Sequence, residues 1–286
     1  MPKILSGFIL PDIVNNKNIC YNKIKFHIKE DIFVNDLFPE MLDRPDNGRV
    51  IAGIIYWPVC YMLIPFVTTL LVLGPNTHLG IFTIVDFFYY LFNGLFMFGL
   101  FLPYIKDCLL TVQVDSRRFW KYSAIAAGIM AFLALGAIAM GFRTGFGQLI
   151  SLFPITETSV LTYPGLLVMD RPILGTLCSV LVNPFTVSCM FYATIFAPVS
   201  GNHPKLAYLA VSLGLLVPRL FNIWWLGYPF DEMLTYFVQL PFHLLACWAY
   251  QKTETILAPA AALGVLNLIS GGFLLLLQAT GMIWIQ

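Results

Sequence analysis

The chain has 286 residues, 59% of them hydrophobic and 11% charged, with a net charge of +1. An ordinary soluble domain is about 25% charged, so this composition excludes one, and the near-neutral total gives no basis for a nucleic-acid partner. The charges crowd into the first fifty residues and a few connections, leaving apolar runs of about 20 residues, the length that spans a bilayer core. The expected fold is an all-α polytopic transmembrane bundle.

Residues 1–49 form a polar arm with seven basic and seven acidic residues. Its opening MPKILSGFILPD is too short in apolar residues before Pro11-Asp12 to suggest a secretory signal. The alternation in KIKFHI suits a short strand or surface segment better than a helix. The arm reads equally as a partly ordered segment on the cytoplasmic face or as an unstructured tail. The cluster Arg44-Pro45-Asp46-Asn47-Gly48 is a turn signal leading into the membrane.

About seven spans follow, near 50–73, 81–103, 120–142, 173–198, 206–227, 229–249 and 255–284. The first three make an amino-terminal unit, 50–142, and the last four a carboxyl-terminal core, 173–286. The final span carries Gly271-Gly272, which leaves open whether it is one helix or a half-helix followed by a full one. With the amino terminus cytoplasmic, the inner segments hold thirteen Lys and Arg and the outer ones two, Arg143 and Arg171. That asymmetry sets the orientation. Trp57, Trp120, Trp248 and Trp284 fall near span ends, where an interfacial belt would place them.

The connection at 143–172 is long for a simple link. Phe146, Leu149, Ile150 and Phe153 recur there at helical spacing beside Thr144 and Gln148, which fits an interfacial helix. The six cysteines, Cys20, Cys60, Cys108, Cys178, Cys189 and Cys247, show no metal-ligand or CxxC spacing, and no metal or other cofactor is expected.

Polar residues at membrane depth are the candidate functional positions, since an unpaired one costs several kcal/mol. Asp86 opens the second span, at the depth of the headgroups. Arg219 and Asn222 follow Pro218 in LLVPRLFNIWW, and the guanidinium can donate to the carbonyl that Pro218 leaves free. Asn183 sits beside Pro184, and His243 follows Pro241. Asn267 lies in LAPAAALGVLN, where Ala258, Ala260, Ala261, Ala262 and Gly264 let neighbouring helices approach the backbone. An amide in such a place is more often interhelical glue than a catalytic group. Arg219, Asn222, His243 and Asn267 form the expected buried polar cluster, with Ala258, Ala261, Ala262 and Gly264 as helix-packing positions.

The stretch Tyr250-Gln251-Lys252-Thr253-Glu254-Thr255-Ile256-Leu257-Ala258-Pro259, with Asn267 eight residues on, resembles the CAAX-prenyl-protease and bacteriocin-processing (CPBP, or Abi) family of intramembrane proteins. That family carries y-x-K-T-G-S-I-x-A-P before a last span with H-x-x-x-N. It also has P-x-x-E-E-x-x-F-R-G in one span and F-x-x-x-H in the next. Here the first of those motifs falls on Pro184, with Val187 and Ser188 in the glutamate slots and Phe191-Tyr192-Ala193 in place of F-R-G. The histidine slots hold Asn222 and Leu263. The family is thought to activate water with its glutamates and histidines, so the resemblance implies a pseudoenzyme without a general base.

The resulting expectation is a non-catalytic scaffold or accessory subunit in a bacterial cytoplasmic membrane. It would contact membrane lipid and bind another membrane or envelope protein, with the arm, the 143–172 loop and the aromatic stripe FFYYLFNGLFMFGLF as candidate surfaces. The alternative is a membrane enzyme or small-molecule transporter whose site is the Arg219, Asn222, His243 and Asn267 group. A peptidase with displaced catalytic residues is a third reading, which lacks a base within the spans.

Overall fold

A computed structural model describes residues 45–59, 79–144, 172–201, 203–225 and 232–280, all helical apart from the turns. Seven helices occur among them: α1 (Asn47–Pro58), α2 (Leu79–Val114), α3 (Ser116–Thr144), α4 (Pro172–Ser200), α5 (Pro204–Trp225), α6 (Glu232–Thr253) and α7 (Leu257–Ala279). Three are long and apolar enough to cross a membrane, over Phe87–Val114, Ser116–Gly136 and Pro172–Ser200. The further apolar stretches Pro204–Val217 and Leu257–Phe273 are shorter. Residues 1–44, most of the first expected span (60–73), the interfacial segment 145–171, and Trp284 lie outside the described residues.

Large apolar side chains point outward, as the bilayer allows: Trp224, Ile173 and Phe132 are all more than three-quarters exposed. Small residues point inward. Ala126 and Ala134 of α3, Ala207 of α5, Ala246 and Ala249 of α6, and Ala258 and Ala262 of α7 are fully buried. Lipid tails are as apolar as leucine, so helices gain little by hiding apolar area from them. Close backbone approach at small residues supplies the dispersion contacts that hold such a bundle.

One connection differs from the sequence expectation. The segment 104–119 is not a loop, because α2 runs on to Val114 and only Asp115 separates it from α3. Lys106 and Asp107 lower its hydropathy but are exposed, and neither breaks a helix. Asp115 caps the next helix: its Oδ1 accepts the backbone N–H of Arg118 at 3.2 Å, the usual role of an N-cap carboxylate. In α7 the Gly271-Gly272 pair leaves no break, and the helix continues to Ala279.

α4 packs against α1, α2, α5, α6 and α7, while α3 packs on α6 and α7. α4 alternates between α and π geometry, with π stretches at Cys178–Val182 and Ser188–Phe196. Each lies just before a proline, Pro184 or Pro198, whose ring crowds the carbonyl four residues back and widens the turn. The N–H of Asn183 accordingly reaches back five residues to the Cys178 carbonyl, and that of Ala197 to Tyr192. Thr194 Oγ1 donates to the Cys189 carbonyl at 2.9 Å, adding a side-chain partner within the second widened stretch.

Glycines mark where neighbours cross α4. A Cβ on Gly53 of α1 would stand 2.5 Å from Thr194 Oγ1, and one on Gly94 of α2 would stand 2.5 Å from Val182 Cγ1. α1 is also tied to α2, where the Tyr56 hydroxyl donates to Asn93 Oδ1 and its ring stacks on Phe96 at 4.1 Å.

Candidate functional site

Pro184 has no N–H, so the carbonyls of the preceding turn that it would have engaged, Val180 in α geometry and Ser179 in π geometry, lose that partner. α7 meets α4 at those two groups. Asn267 Nδ2 donates to the Ser179 carbonyl at 2.7 Å, with Asn267 fully buried. One turn earlier, the Val180 carbonyl oxygen lies 2.6 Å from where a Cβ on Gly264 would stand, so only a glycine leaves it room. Ala258 and Ala262 are fully buried in the same helix, while Ala261 is half-buried at the edge of the core.

His243 of α6 meets α4 higher in its second π stretch. Its Nδ1 lies 2.9 Å from the Tyr192 hydroxyl, in a hydrogen bond whose direction depends on the imidazole tautomer. The ring of Phe191 lies 5.6 Å from the imidazole, centroid to centroid. Ser188, four residues before Tyr192, is fully buried, and its hydroxyl meets no hydrogen-bond partner among the described residues. His243 and Asn267 therefore bond to different π stretches of α4, the one through Tyr192 and the other through Ser179. Arg219 and Asn222 lie on α5, and their side chains, like that of Asp86 on α2, fall outside the described residues.

Val187, Ser188, Phe191, Tyr192 and Ala193 of α4 and Leu263 of α7 have no exposed surface. The buried polar side chains of the described residues are hydroxyls, amides and the single imidazole of His243, with no Asp, Glu, Lys or Arg among them. Such groups can hold a partner by hydrogen bonds and orient it. Nor do three His, Cys, Asp or Glu side chains gather among the described residues as a metal site requires.

A second polar assembly gathers at one end of the bundle. The hydroxyls of Tyr104 (α2) and Tyr250 (α6) share a buried hydrogen bond of 2.7 Å. Phe196 of α4 packs edge-on against Tyr208 of α5 and Tyr250, at 5.1 and 5.6 Å. Tyr208 donates to Gln251 Oε1 at 3.1 Å, and Arg118 of α3 pairs with Glu254 at 3.4 Å. The turns α2–α3, α4–α5 and α6–α7 thus meet at this end.

Glu254 is the one described non-glycine residue with a left-handed backbone, at φ 58°. It ends α6 as a C′ residue, its N–H bonding back to the Tyr250 carbonyl. A side chain there costs about 1 kcal/mol relative to glycine, whereas an exposed ion pair returns between zero and about 1 kcal/mol. Glu254→Gly is expected to leave stability unchanged or raise it by up to about 1 kcal/mol, and Glu254→Ala, which keeps the strain and loses the pair, to lower it. Thermal unfolding in mild detergent orders the three chains; a glycine variant less stable than the alanine variant would contradict the account.

Sequence reading missed Tyr192 as the partner of His243, and the Ser179 carbonyl as that of Asn267. A backbone acceptor leaves no mark of its own in a sequence; the available signal was Pro184, which frees it. No family model, curated protein or solved structure matches this chain.

Proposed function

We propose that the chain is a non-catalytic integral membrane scaffold or accessory subunit, which binds another membrane or envelope protein through a helical core resembling a degenerate CPBP protein. In this reading it crosses a bacterial cytoplasmic membrane about seven times with its amino terminus inside. The observation that carries it is the interior of α4: the two glutamate slots hold Val187 and Ser188, both fully buried, and the buried polar groups around them include no carboxylate among the described residues. Water attack on a peptide needs a base positioned within hydrogen-bond reach. Glu254 adds support at the corner, since it stands in the glycine slot of y-x-K-T-G-S-I-x-A-P and holds a backbone that favours glycine.

The test is purification of the tagged full chain from its native membrane in mild detergent. A stoichiometric membrane or envelope protein should accompany it; a monodisperse chain free of any protein would overturn the proposal. The transporter or enzyme reading is favoured by one feature, the π stretch Ser188–Phe196 that presents Tyr192 to His243, because such widened turns are frequent at functional sites. His243→Gln, which keeps a hydrogen-bonding side chain for Tyr192, separates the two. A scaffold keeps its partner and abundance, whereas a transporter or enzyme loses turnover with abundance unchanged.

A further inference from the structure

The end of the bundle where the three turns meet carries more positive charge than its own side chains neutralise. Arg117 and Lys121 at the start of α3, Lys205 at the start of α5 and Lys252 at the end of α6 are all exposed. Among the described residues none of them pairs with a carboxylate. The acidic groups nearby are committed elsewhere: Asp115 caps α3 and Glu254 takes Arg118. Lys106 and Asp107, on α2, offset one another in charge. Four cations remain, brought to one end by the contacts that join Arg118 to Glu254, Tyr208 to Gln251 and Tyr122 to Trp248.

What borders these cations decides what they bind. Lys121 Nζ lies 5.5 Å from the ring centre of Tyr122, which packs edge-on against Trp248 at 5.5 Å, and Trp120 beside it is largely exposed. Rings with one apolar and one polar end settle at headgroup level. Directly along the same helices, Ile125, Ile129 and Phe132 of α3 and Leu206 and Leu209 of α5 are exposed apolar side chains. A ligand meeting this surface must therefore present anionic oxygen to the cations and hydrocarbon to the helix faces immediately beside them. A soluble acidic protein offers only the first.

We propose that this end of the bundle, around Arg117, Lys121, Lys205 and Lys252, binds the phosphate headgroups of anionic phospholipids, with their acyl chains against the exposed faces of α3 and α5. Each basic side chain at a membrane surface contributes about a fivefold preference for anionic lipid. Direct contact at four positions gives retention well above that of the bulk bilayer. The attraction is electrostatic, so it weakens as salt shortens the screening length.

The test reconstitutes the full chain in nanodiscs of equal phosphatidylglycerol and phosphatidylcholine, extracts it in mild detergent and quantifies the retained lipid. The expected result is phosphatidylglycerol enriched about tenfold or more at low salt, falling toward parity in high salt. The variant R117Q/K121Q/K205Q/K252Q should show about twofold enrichment or less, and K121R/K205R/K252R, which keeps the charges, should match the unaltered chain. The pair K121Q/K252Q gives an intermediate value should the fourfold variant fail to fold. Parity in the unaltered chain, or enrichment untouched by either glutamine variant, overturns the proposal. So does full displacement of the lipid by inorganic phosphate, which would assign the surface to a soluble anion. An acidic protein retained by the unaltered chain and lost from the fourfold variant, with no lipid preference in either, would assign it to that protein instead.

Discussion

Asn267→Asp should destabilise the bundle far more than Asn267→Leu, although aspartate is closer to asparagine in shape. Asn267 is fully buried and its Nδ2 donates to the Ser179 carbonyl at 2.7 Å. Aspartate puts an oxygen where that donor stood, so two acceptors face each other, and it brings a charge to membrane depth. The charge alone costs about 3 kcal/mol at the centre of a membrane helix on insertion scales. Leucine only forfeits the interhelical hydrogen bond, worth about 0.6 kcal/mol on average and up to about 1.7. The measurement is the abundance of folded chain in membranes, with thermal unfolding in detergent for whichever variants fold. The comparison also separates roles. A position lining a hydrated ligand pathway accommodates aspartate, because water and the ligand solvate the carboxylate. Equal stability of the aspartate and leucine variants would therefore move Asn267 out of the packing seam and into a solvated site.

The all-helical class was legible because apolar run length is a property of the sequence alone, and hydrocarbon thickness sets the length that matters. The end of α2 was not. Lys106, Asp107 and Gln113 make 104–114 read as a connection, yet the segment contains no glycine, and its proline-free run propagates the helix to Asp115. Hydropathy reports the environment a helix prefers; whether the backbone stays helical is decided by propensity and caps. Asn267 was legible as a bonding amide among small residues, but its acceptor was not, since a carbonyl freed by proline carries no side-chain signature. His243 posed a harder problem still. Its partner Tyr192 sits in a π stretch, and the extra residue per turn rotates every later side chain of α4 away from the face that a regular helical wheel assigns. The expected group of Arg219, Asn222, His243 and Asn267 joined residues by their depth along separate spans. In the fold, the two of them with described side chains attach to different turns of α4.

That attachment gives the second large expectation, at Gly264. Replacing it with alanine adds a single methyl group, and elsewhere in a helix that change is mildly stabilising, by about 0.5–1 kcal/mol, because alanine has less backbone freedom to lose. Here the new Cβ would sit 2.6 Å from the Val180 carbonyl oxygen. The obstacle is backbone, so it cannot rotate aside, and α4 is held on its other faces by α1, α2 and α5. Either α7 withdraws, which stretches the 2.7 Å bond from Asn267 to Ser179, or α4 bends at a turn already widened before Pro184. Overpacking of this kind costs about 1–3 kcal/mol, opposite in sign to the propensity gain. Gly272→Ala, two turns further along the same helix, is the control, because nothing lies within 4 Å of its Cβ position. Gly264→Ala should lower the unfolding temperature by several degrees and Gly272→Ala should leave it unchanged or raise it. Combining Gly264→Ala with Asn267→Leu should cost less than the sum of the two single changes, because both act through one contact between α7 and the carbonyls that Pro184 leaves open. Strict additivity would mean that the glycine and the amide serve separate interfaces, and the account of Pro184 as their common origin would fail.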